Sequence, residues 1–184
     1  MKSQDIAIVG ILLAVGAIVR YVATTMVPGP ITSNLVIGFY CLAIILALPK
    51  YPEALGIGIV SGIICSLITH SVFPPGNLIS EPVGALVCLG LYMLIKDRVK
   101  LVAPGITTFV ATLASGFTFI AVAVLFATKG ITDKIVASGG DPTNAVNAFV
   151  IASMVIVITC AIVNAIIVQI LYIPASRALM RGKA

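Results

Sequence analysis

Charge is scarce in this sequence. Asp, Glu, Lys and Arg make up 9% of its 184 residues, against roughly 25% in a soluble domain. With 60% hydrophobic residues, such a chain cannot cover a water-facing surface, and its solvent is lipid. Histidine is rarer still. His70 is the single one and has no ligand neighbour at metal spacing, which argues against a metal site and against histidine-based chemistry inside the membrane. The four cysteines, Cys41, Cys65, Cys88 and Cys160, stand singly in apolar runs without a Cys-x-x-Cys, as small packing residues do. There is no Walker loop for ATP hydrolysis, and neither G-x-S-x-G nor H-E-x-x-H occurs. These absences point away from an enzyme, and no cofactor is expected. The net charge of +5 is no nucleic-acid footprint either, because the basic residues lie at segment ends, where membrane topology places them.

What is present is a series of long apolar runs. About 20 apolar residues carry a helix across a bilayer core of roughly 30 Å. Spans are expected at 5–27, 34–48, 53–72, 82–96, 104–128 and 142–173, the second and fourth being short enough to need help from neighbours or a thinned bilayer. The first run, from Asp5 to Val27, is too long for the apolar stretch of a signal peptide and is followed by further spans. Breaks fall at Pro28-Gly29-Pro30, between Pro49 and Pro52, at Phe73-Pro74-Pro75-Gly76-Asn77, at Lys96-Asp97-Arg98-Val99-Lys100 and at Gly139-Gly140-Asp141-Pro142. In the last, Asp141 fits a helix N-cap and Pro142 the first helical position. The expected fold is an all-α integral membrane protein, a six-helix bundle forming a single transmembrane domain over residues 1–184.

Six spans place both termini on one side. Lys2, Lys50, Lys96, Arg98, Lys100, Arg177, Arg181 and Lys183 lie at that end, and only Lys129 and Lys134 at the other. Eight against two is a positive-inside signal for cytoplasmic termini. The loops at 28–33, 73–81 and 129–141 then face outward.

Several residues stand out against this apolar ground. Ala7, Gly10, Ala14 and Ala17 form a stripe of small residues on the first span. Gly10-x-x-x-Ala14 lets a second helix approach closely, either inside the bundle or from a separate membrane subunit. Gly56, Gly58 and Gly62 on the third span are a weaker example. Arg20 lies about 22 Å along its helix by the rise per residue. An arginine at such depth snorkels to the interface, clamps an anionic group such as a carboxylate, or pairs with Glu81. Glu81 precedes Pro82 and so should avoid the helical region. It either caps the fourth span, where the helix dipole favours a carboxylate, or meets a cationic group of a ligand. One basic and one acidic residue near the outer end would suit a zwitterion. Asn147 is high enough to face an outward pocket, Asn144 opens the last span, and Asn164 and Gln169 are expected to join helices by hydrogen bonds. Phe39, Tyr40, Phe73, Tyr92, Phe117 and Phe149 are aromatic candidates for a pocket wall or for core.

The small six-span layout, the striped first helix and the ligand-sized outer loops resemble the S components of energy-coupling factor transporters, vitamin and amino-acid importers of bacteria and archaea. The segment Phe73-Pro74-Pro75-Gly76-Asn77-Leu78-Ile79-Ser80-Glu81-Pro82 is similar to the loop of tryptophan-specific S components, and Ile11-Leu12-Leu13-Ala14-Val15-Gly16-Ala17 to their first helix. The resemblance implies a multi-pass protein of the plasma membrane that captures a small nutrient from outside. It also implies partners: a transmembrane coupling subunit, docked on Ala7, Gly10, Ala14 and Ala17, and two ATPase subunits. The substrate site it implies uses Arg20, Glu81, Asn77, Tyr40, Phe73 and Asn147, with tryptophan the first candidate. A vitamin such as thiamine also fits a pocket holding Glu81. A stand-alone secondary carrier is the alternative of another class; it would favour two similar halves, and no internal repeat is evident.

Overall fold

The computed structural model of the chain describes residues 1–26 and 34–181. The Pro28-Gly29-Pro30 break, the rest of the 28–33 loop, the end of the first expected span at Val27 and the terminal Lys183 lie outside the described residues. Every regular element among the described residues is helical: α1 (Ser3–Met26), α2 (Val36–Ala47), α3 (Tyr51–Leu67), a 3₁₀ turn at Pro74–Gly76, α4 (Asn77–Ile95), α5 (Ala103–Phe126), α6 (Thr128–Ala137), a second 3₁₀ turn at Pro142–Asn144, and α7 (Ala145–Arg181). Four of these stretches are long and apolar enough to cross a membrane, at Ser3–Thr25, Pro74–Ile95, Ala103–Phe126 and Pro142–Ala178. Helices α2 and α3 are apolar but shorter, with 12 and 17 residues.

Helix α2 is the axis of the bundle. Every residue from Val36 to Ile45 is buried, and the helix touches α1, α3, α4, α5 and α7. At about 1.5 Å per residue it is roughly 18 Å long, less than a bilayer core, but protein rather than lipid surrounds it. Its end is sharp. Leu48 takes the left-handed conformation at φ 46 and its N–H bonds to Ile44 O at 2.8 Å. Pro49 follows and cannot continue the helix.

Close packing depends on a few glycines. On α1, the buried face is Val9, Leu13, Gly16, Arg20 and Thr24, and a Cβ on Gly16 would lie 3.0 Å from Phe39 Cβ. On α3, a Cβ on Gly58 would lie 2.6 Å from Pro82 Cα, and one on Gly62 2.7 Å from Asn77 O. Those two positions bring α3 against the first turns of α4. On α5, a Cβ on Gly116 would meet both Val157 methyls at 2.5 Å, so α5 and α7 touch there backbone to side chain.

The bundle has two distinct ends. At one, the Met1 amine pairs with Glu53 at the start of α3. There too, Gln169 of α7 donates through Nε2 to Leu101 O at 2.7 Å and accepts from Gly105 N–H at 3.1 Å, at the start of α5. At the other, Lys134 of α6 donates to His70 O, and Asn34 donates to Glu81 near the start of α4. Helices α1 to α5 and α7 therefore run alternately between the two ends.

Some local expectations change. Helix α4 begins at Asn77 and carries Pro82 inside it, so Glu81 is helical and does not cap. The helix is launched by the Pro74–Gly76 turn, where Asn77 N–H reaches Pro74 O and Pro75 O. Pro82 gives up one i to i−4 bond, in a turn braced by close contact with Gly58. The expected loop at 129–141 is largely helix α6, and α7 runs past 173 to Arg181 despite Pro174. Asp141 does cap the turn leading into α7, accepting from Thr143 N–H at 2.9 Å with Pro142 next in line.

Candidate functional site

A cavity lies at the end of the bundle where α4 begins. Its walls are Arg20 of α1, Asn34 and Ile37 at the head of α2, Thr69 and Ser71 before the 3₁₀ turn, Asn77, Ser80 and Glu81 of α4, the Thr112–Ile120 stretch of α5, and Ser153, Ile156, Val157 and Cys160 of α7. The atom-free space between them, counted out to the mouth and with the open solvent there, is about 560 Å³.

Arg20 and Glu81 are both inside, 2% and 1% exposed. Arg20 therefore does not snorkel out of the bundle. Nor does it form an ion pair with Glu81, since the only ion pair among the described residues is that of the Met1 amine with Glu53. Glu81 takes neutral donors instead: Asn34 Nδ2 to Oε1 at 2.5 Å and Ser115 Oγ to Oε2 at 3.3 Å. Arg20 Nε and Nη1 have no hydrogen-bond partner among the described residues. The hydroxyls of Ser71, Ser80 and Ser153, on the same cavity, are likewise unpartnered. Buried polar groups are almost always satisfied; among the described residues, four of the eight that carry an unsatisfied buried atom, Arg20, Ser71, Ser80 and Ser153, line this cavity.

Of the six residues expected to bind substrate, Arg20, Glu81 and Asn77 line the cavity, and Tyr40, Phe73 and Asn147 do not. Asn77 spends its Nδ2 on Pro74 O at 2.8 Å, which steadies the turn that launches α4. Tyr40 is fully buried in the main core, its hydroxyl against Gly84, where any Cβ would collide with it. Phe73 stacks on Phe126 with ring centroids 6.5 Å apart. Asn147 is exposed on α7. The aromatic ring that does line the cavity is Phe119, and it also packs against the small cluster of Ala123, Ile131 and Phe149.

Sequence reasoning missed Asn34, Thr112, Ser115, Phe119 and Ser153. The signal was there at helical spacing. Thr108, Thr112, Ser115 and Phe119 follow one another at steps of four, three and four on α5, as do Ser153, Val157, Cys160 and Asn164 on α7. In lipid, the polar stripe of an apolar helix marks its interior face. Below the cavity, Asn164 Nδ2 donates to Asn34 O at 3.0 Å and to Thr112 Oγ1 at 3.4 Å, so it ties α7 to α2 and α5 as an interhelical linker.

Ala7, Gly10 and Ala14 are exposed on α1 and Ala17 is half-buried. A Cβ on Gly10 would meet nothing within 4 Å. The flanking Ile6, Ile11 and Ile18 are 59%, 64% and 64% exposed, so this face of α1 has no partner among the described residues. The four cysteines are free and buried.

Among known proteins, the chain is 31% identical over 128 residues to the "Probable tryptophan transport protein" of Bacillus subtilis (strain 168), covering 68% of this chain and 72% of that protein. No protein-family model and no solved structure matches it.

Proposed function

This chain belongs to the tryptophan transport protein family and is a multi-pass protein of the cell membrane, and we propose that it is the substrate-capturing S component of an energy-coupling factor importer, with tryptophan as substrate. The observation that carries the reading is the buried guanidinium of Arg20, whose Nε and Nη1 have no partner among the described residues, on a cavity whose other charged group is Glu81. A guanidinium presents a fork of donors that matches a carboxylate. Glu81, oriented by the neutral donors Asn34 and Ser115, is left to meet an ammonium. An amino acid brings both charges at once and satisfies groups that the protein alone leaves costly.

In this reading the chain spans the bilayer six times with both termini in the cytoplasm. The alternation of helices between two ends supports it, as does the crowding of basic residues at the end holding Met1, Lys50 and the α4–α5 connection. The cavity then opens outward. The bare face of α1 around Gly10 and Ala14 docks a transmembrane coupling subunit, which with two ATPases drives release inside.

The test is equilibrium binding of tryptophan and of thiamine to the purified chain, followed by uptake into vesicles with and without the coupling and ATPase subunits. Tryptophan binding with uptake only in the full assembly is the expected result. Binding of thiamine alone overturns the amino-acid assignment, and uptake by the chain by itself makes it a secondary carrier.

A further inference from the structure

The charged wall of the cavity accounts for the two ends of an amino acid but not for its side chain. The remaining wall comes from α5 and α7, with Phe119, Ile120, Ile156, Val157 and Cys160. Its polar side chains Thr112 and Ser115 are bonded within the protein, to Thr108 O and Asn164 and to Glu81, which leaves Ser153, 2% exposed and with no partner for its hydroxyl among the described residues.

A helical serine or threonine can satisfy its hydroxyl by donating to the carbonyl four residues before it. Ser61 does so to Ile57 O and Thr112 to Thr108 O, each at 2.8 Å, whereas Thr107 and Thr108, like Ser153, are buried without a partner among the described residues but lie away from the cavity. Ser153 makes no such bond to Phe149. The other unpartnered hydroxyls on the cavity belong elsewhere: Ser80 is next to Glu81 on α4, and Ser71 lies in the segment leading to that helix. Among the described residues α1 packs on α2 and α3 and makes no contact with α7. Arg20 and Ser153 thus belong to walls that the cavity separates.

We propose that Ser153 is the specificity-determining residue for the side chain, its Oγ accepting a hydrogen bond from a ring N–H of the bound ligand. The proposal rests on the amino-acid reading of the cavity given above. The chemistry selects a large apolar side chain with one donor, which is what an indole offers. Accepting the ring N–H leaves the serine's own hydrogen free to turn to the Phe149 carbonyl, so both partners end satisfied. A side chain lacking the donor would bury the hydroxyl with nothing to accept, and sites built around a hydrogen bond discriminate against analogues that cannot make it.

The experiment is calorimetric titration of the purified full-length chain with tryptophan and with the alanine derivative carrying benzothiophene, in which sulfur replaces the ring N–H. Each ligand is titrated into wild type and Ser153→Ala. Wild type should prefer tryptophan by about five- to tenfold, the value of one buried hydrogen bond. Ser153→Ala should bring the ratio close to one by weakening tryptophan while leaving the analogue unchanged. Equal affinities in wild type, or a preference that survives in Ser153→Ala, overturns the proposal and leaves tryptophan binding standing. Absence of tryptophan binding to wild type overturns the substrate reading and this inference together.

Discussion

Asn34 holds Glu81 by its amide, Nδ2 to Oε1 at 2.5 Å, across from Arg20 on the same cavity. Asn34 Oδ1 in turn accepts from the Cys65 thiol at 3.6 Å, so the head of α2 is tied to α3 and α4 at one point. The carboxylate is thereby oriented by neutral groups, and the nearby guanidinium is left for something else. Replacing Asn34 with Leu removes the stronger donor to Glu81. Loss of about 1–3 kcal/mol of stability is expected from a buried acceptor left short of a partner, together with weaker tryptophan binding. Thermal unfolding and calorimetry on the same sample would show both; an unaffected variant would mean that Asn34 does not position the carboxylate.

Arg20→Gln and Glu81→Gln separate ligand contacts from fold contacts. A buried charged contact costs about 2–5 kcal/mol on truncation, or roughly 30-fold to several-thousand-fold in affinity. Both variants should lose tryptophan affinity on that scale. Without ligand, Arg20→Gln should be as stable as wild type or more so, because it removes a buried charge that forms no ion pair among the described residues. Wild-type affinity in both variants would take these residues out of the site.

The two small-residue pairs, Gly58 with Gly62 and Gly10 with Ala14, should respond in opposite ways. Gly58→Ala drives a Cβ to 2.6 Å from Pro82 Cα, which a backbone cannot evade cheaply, and about 1–3 kcal/mol of destabilisation is expected. Gly10→Leu enters open space, so stability should stay within about 0.5 kcal/mol and tryptophan binding should be intact. Co-purification with the coupling subunit should nevertheless fail for Gly10→Leu and for Ala14→Leu. Normal assembly and uptake in both would remove α1 from the docking role.

Topology is open to reporters. Fusions after Lys183 and within residues 132–140 should report opposite sides of the membrane, the first cytoplasmic. An external C-terminus would reverse the direction of the cavity and with it the capture model.

The local grammar of the chain was legible in sequence. The cap at Asp141-Pro142 follows from the chemistry of those residues alone, and the structure has it. The start of α4 was not legible, because the rule that a residue before proline avoids the helix is a local preference, overridden at Glu81 by the turn at Pro74–Gly76 and by packing on Gly58. Phe39, Tyr40, Phe73, Tyr92, Phe117 and Phe149 could be named only as pocket wall or core, and the aromatic residue lining the cavity is Phe119, which was not among them.

The sequence by itself determined the solvent, the all-helical class and two charges, Arg20 and Glu81, too deep to ignore. These follow from composition and from distance along a helix, which need no neighbours. Tertiary structure alone decided which apolar surface is core and which faces outward. Helix α2 is buried on all sides while the outer face of α1 is bare, yet both are mostly apolar, because in lipid the hydrophobic pattern no longer separates inside from outside. For the same reason Gly58-x-x-x-Gly62 and Gly10-x-x-x-Ala14 look alike as strings; only the position of α4 makes the first an internal contact, leaving the second free.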